Sequence, residues 1–245
     1  MSKAAVIVIP AYNEEKNIAK VVSESKNTFP KSMILVVDDG SRDRTAEIAK
    51  KSGAFVIKNP INLGKSESTK KAAQHIFKNH PEIKAIALID ADDQYSPKEL
   101  PKLVRPILEG KADFVIGRRN ISKIPYLGHK LGIKVFSFVF NMLYGTSFRD
   151  TVCGLRAISV EAFKRMELKS SGYAVESEML VDAVQKKMRI ATVPVKVRYN
   201  RSHTVRKGST MSLNIILHLI LWRFFDRKTV ENKMIKILKW YQRIV

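Results

Sequence analysis

An α/β fold with a mostly parallel central sheet flanked by helices is predicted by three observations: short β-branched runs recur along the chain, each ends abruptly in polar residues, and an amphipathic stretch of helix length follows it. Such alternation buries both faces of a sheet under crossover helices. Taken in order, residues 4–9 form a first strand that runs into Pro10, Ala11, Tyr12, Asn13, Glu14 and Glu15, with a helix expected near 14–27. Residues 33–37 form a second strand ending in Asp38, Asp39, Gly40 and Ser41, with a helix near 43–52. A helix near 66–79 leads to the run Ala87, Leu88, Ile89, which stops at Asp90, Ala91, Asp92, Asp93 and Gln94. Ser96, Pro97 and Glu99 then read as N-cap, N1 proline and capping-box acid of a helix near 97–108. The run Val115, Ile116, Gly117 ends in Arg118 and Arg119. Beyond it, Leu131, Ile133, Val135, Phe136, Phe138, Val139, Phe140, Met142 and Leu143 crowd one helix-length segment. By itself such a segment reads as a buried core helix.

Three of these strand ends offer acids, and parallel strands deliver their carboxyl ends to one edge, where open α/β sheets bind ligands. Carboxylates at the end of a buried strand are costly unless a cation meets them. Asp90 and Asp92, one residue apart, suit a hard divalent cation completed by water and substrate phosphates. The implied substrate carries a diphosphate. Other chemistries fit poorly. Cys153 is the only cysteine, which excludes an intramolecular disulfide, and the five histidines are scattered without metal-ligand spacing. Gly64-Lys65-Ser66 lacks the upstream glycine of a Walker loop, since position 59 is Asn59, so Asn62 to Lys65 reads as a sugar-nucleotide loop.

These motifs, in this order over residues 4 to about 210, resemble the family 2 nucleotide-sugar glycosyltransferases of the GT-A fold, and within them the dolichol-phosphate mannose synthases and other polyprenyl-phosphate glycosyltransferases. The resemblance implies that Pro10, Tyr12, Glu14, Val37 and Asp39 cradle the nucleotide, with Lys65, Asp90, Ala91 and Asp92 completing the donor site. It further implies that Asp90, Asp92 and Gln94 hold Mg²⁺ or Mn²⁺. The segment from Asp150 to Arg156 resembles the family's acceptor motif, and Glu176 and Glu178 fall where the family has an acidic pair on a helix. Catalysis would rest on Asp92, Arg119 and Arg156, and the acceptor phosphate on Arg118, Arg119, Arg156, Arg201 and Lys207. Asp93 stands where relatives usually carry an apolar residue.

The chain carries 44 Lys and Arg against 23 Asp and Glu, a net of +21, and residues 196–245 hold 12 basic against 2 acidic residues. Such an excess suits an anionic partner, nucleic acid or membrane. The acids at strand ends and the lack of aromatic-interleaved basic motifs speak against nucleic acid. Residues 213–225 are apolar but shorter than the ~20 residues a spanning helix needs. Lys233, Lys236, Lys239 and Arg243 alternate with Met234, Ile237, Leu238, Trp240, Tyr241 and Ile244, the pattern of a basic helix lying on an anionic membrane. With no secretory leader pattern at residues 1–6, the expected place is the cytoplasmic face of the membrane, held peripherally. The domain expectation is a GT-A glycosyltransferase domain over 1–210 and amphipathic basic membrane-surface helices over 211–245. The expected reaction is metal-dependent, inverting transfer of a hexose, mannose by resemblance, from a GDP- or UDP-linked sugar to dolichyl or polyprenyl phosphate. A same-fold enzyme acting on a glycan or sugar hydroxyl would need a general base, for which Glu178 or Asp150 is the candidate.

Overall fold

A computed structural model describes residues 4–170, 175–199, 208–227 and 229–230. Its centre is a seven-stranded sheet in the order β3-β2-β1-β4-β6-β5-β7. The strands are β1 (Ala5–Ala11), β2 (Met33–Asp38), β3 (Phe55–Lys58), β4 (Ala85–Leu88), β5 (Phe114–Arg119), β6 (Arg156–Ser159) and β7 (Ile190–Val195). Ladders β1–β2, β2–β3, β1–β4 and β5–β7 are parallel, while β6 runs antiparallel to both neighbours, β4 and β5. One reversed strand therefore sits inside an otherwise parallel sheet. Val6, Ile7, Val8, Leu35, Val36, Val37, Ala87, Phe114 and Val115 are fully buried, as expected of strands covered on both faces.

The sequence did not announce β3, β6 or β7. β3 and β7 are edge strands with mixed exposure, and β7 carries Pro194, which a ladder tolerates at an edge. β6 is four residues long and begins with a buried arginine.

The helices are α1 (Ile18–Thr28), α2 (Thr45–Lys51), α3 (Lys65–Asn79), α4 (Leu100–Leu108), α5 (Leu127–Tyr144), α6 (Val160–Lys164), α7 (Val175–Gln185) and α8 (Gly208–Phe224). α1 starts four residues later than expected because residues 13–15 are tied elsewhere. Asn13 takes a left-handed φ of 54°, and the N–H groups of Asn13, Glu14 and Glu15 donate to Ser41 Oγ, Thr45 Oγ1 and Asp43 Oδ2. The expected cap before α4 is also corrected. Ser96 makes no side-chain cap, Pro97–Glu99 form a 3-10 turn, and Glu99 pairs with Lys102 at 2.7 Å.

α5 has apolar residues on two faces. Ile133, Phe136 and Phe140 pack into the core, while Leu127, Leu131, Val135, Phe138 and Met142 recur at spacings of four and three on the outside. Leu127 is 80% exposed and Phe138 67%. α8 packs against the end of α5: Tyr144 Oη donates to the Leu219 carbonyl at 3.0 Å and Arg223 Nε to the Leu143 carbonyl at 2.9 Å. Leu219 and Trp222 are buried there, while Leu217, Ile220, Phe224 and the following Phe225 face outward. The expected boundary at 210 thus falls inside the first turn of α8. Among the described residues no helix is long and apolar enough to cross a membrane. The basic helix expected over 233–245 lies outside the described residues.

Candidate active site

The parallel ladders bring the carboxyl ends of β1, β2, β4 and β5 to one edge, and the antiparallel β6 begins at that edge. β2 lies on one side of β1 and β4 on the other, so β1 and β4 flank the switch point where α/β sheets open a crevice.

On the β1–β2 side, side chains of the strand-end loops tie them to one another. Asn13 Oδ1 accepts from the Arg42 N–H at 2.9 Å, and Glu14 Oε2 accepts from Asn17 Nδ2 at 2.8 Å. Asp39 is buried and spends both oxygens on the loop after β3, accepting from Asn59 Nδ2 at 2.8 Å, Leu63 N at 3.0 Å and Gly64 N at 2.7 Å. That loop passes so close to Gly40 that a Cβ there would lie 2.5 Å from the Ile61 carbonyl carbon. Gly64, at φ +91°, then turns the chain into α3. Asp39 therefore shapes the loop from within. Tyr12 is exposed and Pro10 half-buried at the end of β1, whereas the Val37 and Ala91 side chains are buried.

At the end of β4, Lys65 Nζ pairs with Asp90 Oδ1 and with Glu176 Oε1, the latter at 2.5 Å. Burial works to lower the Lys65 pKa, but the two carboxylates overcome it and raise it above the ordinary lysine value. The other Asp90 oxygen lies against Gly154, where a Cβ would stand 2.5 Å from Oδ2. The small residue of the 150–156 segment thus admits this carboxylate. Asp92 Oδ1 accepts from the Gln94 N–H at 3.0 Å, and the Gln94 carbonyl accepts from the Arg198 N–H at 2.8 Å. Asp90 and Asp92 are the kind of carboxylate pair that takes a hard cation together with water and phosphate oxygens, and among the described residues no group of three or more His, Cys, Asp or Glu side chains is placed to hold a metal ion.

Asp93, at φ 59°, is buried between Lys20 Nζ at 2.5 Å and Arg198 Nη1. Arg198 also reaches Glu24 Oε2 at 3.3 Å, and Val197 bridges Tyr95. The Tyr95 hydroxyl in turn accepts from the Gly154 N–H at 3.3 Å. The loop 90–96 therefore fastens both the 150–156 and the 196–199 segments. Neither the ion pairs of Asp93 nor the contact of Glu176 with Lys65 was legible in the sequence; an acid in an apolar position was the only signal for the first.

The arginines separate into different roles. Arg156 is fully buried, and donates from Nε to the Cys153 carbonyl at 2.8 Å, from Nη2 to the Thr151 carbonyl at 2.9 Å and from Nη1 to the Glu176 carbonyl. Burial pulls its pKa below the ordinary arginine value. These three donors point to main chain. Arg119 grips Asp150 through Nε at 2.7 Å and Nη2 at 2.8 Å, and is half-committed in the same sense. Arg118 keeps a buried Nε without a hydrogen-bond partner. Arg201 and Lys207 lie outside the described residues. The two candidate bases are spent as well: Asp150 on Arg119, and Glu178 on the N–H groups of Lys169 and Ser170 and on the Ser170 hydroxyl. Burial pushes the Glu178 carboxyl up.

Comparison with known proteins decides which family this edge belongs to. The family pattern described as "Glycosyl transferase family 2" matches residues 6–166, which contain the loops after β1, β2, β4 and β5. The chain belongs to glycosyl transferase family 2. It is a glycosyltransferase, and its relatives include proteins named for transfer to dolichyl phosphate. It is 30% identical over 233 residues to the UDP-N-acetylglucosamine–dolichyl-phosphate N-acetylglucosaminyltransferase of Methanococcus voltae, covering 85% of this chain and 91% of that one. It is 30% identical over 202 residues to the dolichyl-phosphate hexose transferase of Haloferax volcanii, covering 81% and 84%. Among solved structures, glucosyl-3-phosphoglycerate synthase of Mycobacterium tuberculosis, in complex with Mn²⁺, uridine diphosphate and phosphoglyceric acid, matches this family 2 fold with a TM-score of 0.74 at 22% identity, over 91% of this chain and 80% of that one.

Proposed function

We propose that this glycosyltransferase moves a hexose, with inversion, from a nucleotide diphosphate sugar to the phosphate of a dolichyl or polyprenyl phosphate. The observation that carries the reading is the pairing of Lys65 with Asp90, two residues before Asp92, at the β1/β4 switch point, a mix of acid and cation suited to a metal-bridged diphosphate. Asp90 and Asp92 would hold Mg²⁺ or Mn²⁺, which neutralises charge on the departing nucleoside diphosphate as a Lewis acid. Tyr12 offers the exposed ring beside the nucleotide, and Asp39 keeps its loop in shape. Relatives named for N-acetylglucosamine and hexose transfer support a hexose donor, and the UDP in the names of the M. voltae relative and the M. tuberculosis structure favours uridine over guanosine.

In the reaction an acceptor phosphate oxygen forms a bond to the anomeric carbon as the bond from that carbon to the diphosphate oxygen breaks. A phosphate monoester, with a second pKa of about 6, is already anionic at neutral pH and needs no proton acceptor. That matters here because Asp150 and Glu178 are both buried and hydrogen-bonded, which disfavours transfer to a hydroxyl. The acceptor needs cations, for which Arg118, Arg201 and Lys207 are the proposed set. The outward apolar residues of α5 and α8 and the basic segment 233–245 are the proposed membrane-facing surface, on the cytoplasmic side. A screen of UDP- and GDP-sugars with polyprenyl phosphate, reading released nucleoside diphosphate, tests the reading. Release that depends on the lipid phosphate supports it; equal release with a lipid-free sugar acceptor overturns it.

A further inference from the structure

Lys65 stands between two carboxylates from distant parts of the chain, Asp90 at the end of β4 and Glu176 in the first turn of α7. The three side chains are 16%, 28% and 19% exposed, so water screens them little. Glu176 is itself held, since its carbonyl accepts from the buried guanidinium of Arg156. Lys65 is the first residue of α3, a 15-residue helix whose amino end favours an anion, and Gly64 with its positive φ precedes it. One ammonium is thus shared between a carboxylate assigned to the metal and a place assigned to the diphosphate. A compact ammonium on a four-carbon stem exchanges partners readily.

We infer that Lys65 is an exchangeable internal counter-ion of the donor site, which competes with the divalent metal for Asp90 and is drawn onto the diphosphate when nucleotide binds. Glu176 keeps it within reach. Metal and nucleotide then load together, because each improves the site for the other, and the coupling is reciprocal. The inference rests on the proposed reading of Asp90 as a metal carboxylate.

Calorimetry on the full chain with Mn²⁺ alone, UDP alone in chelator, and both together tests it. In the wild type, UDP tightens Mn²⁺ about tenfold or more, within the usual range of such couplings. Lys65→Met removes the competitor and the diphosphate partner at once, so Mn²⁺ alone binds about tenfold tighter while UDP alone binds about tenfold weaker. Lys65→Arg keeps the charge but grips a carboxylate through two N–H groups, and weakens Mn²⁺ with or without UDP. Lys70→Met, removing an equal charge from the same helix, leaves both affinities within about twofold. Shifts of Mn²⁺ and UDP in the same direction in Lys65→Met, or no shift while the wild type binds both, overturn the inference and leave the proposed function standing. A wild type that binds no UDP overturns both.

Discussion

Asp92 and Arg156 sit in neighbouring loops yet answer to different physics. Asp92 stands partly exposed at the strand-end edge, where it accepts from the Gln94 N–H and where a carboxylate suits a cation. Asp92→Asn is expected to lower transfer by more than about tenfold, because an amide is a poor ligand for a hard cation, while the melting temperature stays within a few degrees. Assay of released nucleoside diphosphate beside a thermal melt checks both halves. Arg156 is fully buried and donates to three main-chain carbonyls. Arg156→Lys leaves carbonyls unpaired at about 1–3 kcal/mol each. The melting temperature is expected to fall, and donor and acceptor constants are expected to worsen together. A mutant that melts normally and loses only acceptor affinity would return Arg156 to the phosphate site.

Among the elements, the loop 90–96 and the strand-exit segment 196–199 behave as one unit through Asp93, Lys20, Arg198 and the Arg198–Gln94 main-chain bond. Residues that share one buried ionic network couple strongly when mutated. Asp93→Ala removes the buried partner of Lys20 and Arg198, whose side chains stay 52% and 35% exposed, so water takes up part of the loss and the cost is expected to fall below the ~3–5 kcal/mol of a fully buried pair. Arg198→Ala leaves the buried Asp93 with Lys20 in place of two cations. The double mutant is expected to be no less stable than the worse single one, and denaturant midpoints for the four proteins give the coupling directly. Strict additivity would mean the two side chains do not interact. α5 invites a different test: replacing Leu131 and Phe138 with serine touches the outward stripe alone, so liposome binding is expected to drop while the melting temperature holds.

At the scale of the whole molecule the net charge of +21 acts over many residues at once. If the outward faces of α5 and α8 meet an anionic membrane, binding combines apolar burial with screened attraction. Sedimentation with vesicles containing anionic lipid is expected to weaken steeply between about 50 and 500 mM salt, as the screening length falls from above 10 Å to about 4 Å. Deleting residues 233–245 is expected to weaken it further, since those residues hold four basic side chains and an apolar set. Binding indifferent to salt and to that deletion would leave only the apolar faces at work.

The sequence by itself determined the parallel scaffold and the edge that bears the chemistry, because β-branched runs that stop at acids can be buried only one way: strands inward, polar ends out. By resemblance it also pointed to Asp90, Asp92 and the arginine-bearing segments as parts of one expected site. Which charges are free to meet a ligand was decided by the tertiary structure alone. Asp90 meets Lys65, Lys65 meets Glu176, Arg119 meets Asp150, and Arg156 turns to main chain, reaching as far as the Glu176 carbonyl; each of these four contacts joins residues 20 or more positions apart. β6 makes the same point at the level of the fold. Its four residues carry no period that distinguishes them, and only the gap between β4 and β5 requires an antiparallel strand that begins at the active edge. Local pattern records what a side chain prefers to be buried against; long-range pairing sets which charge it finds there.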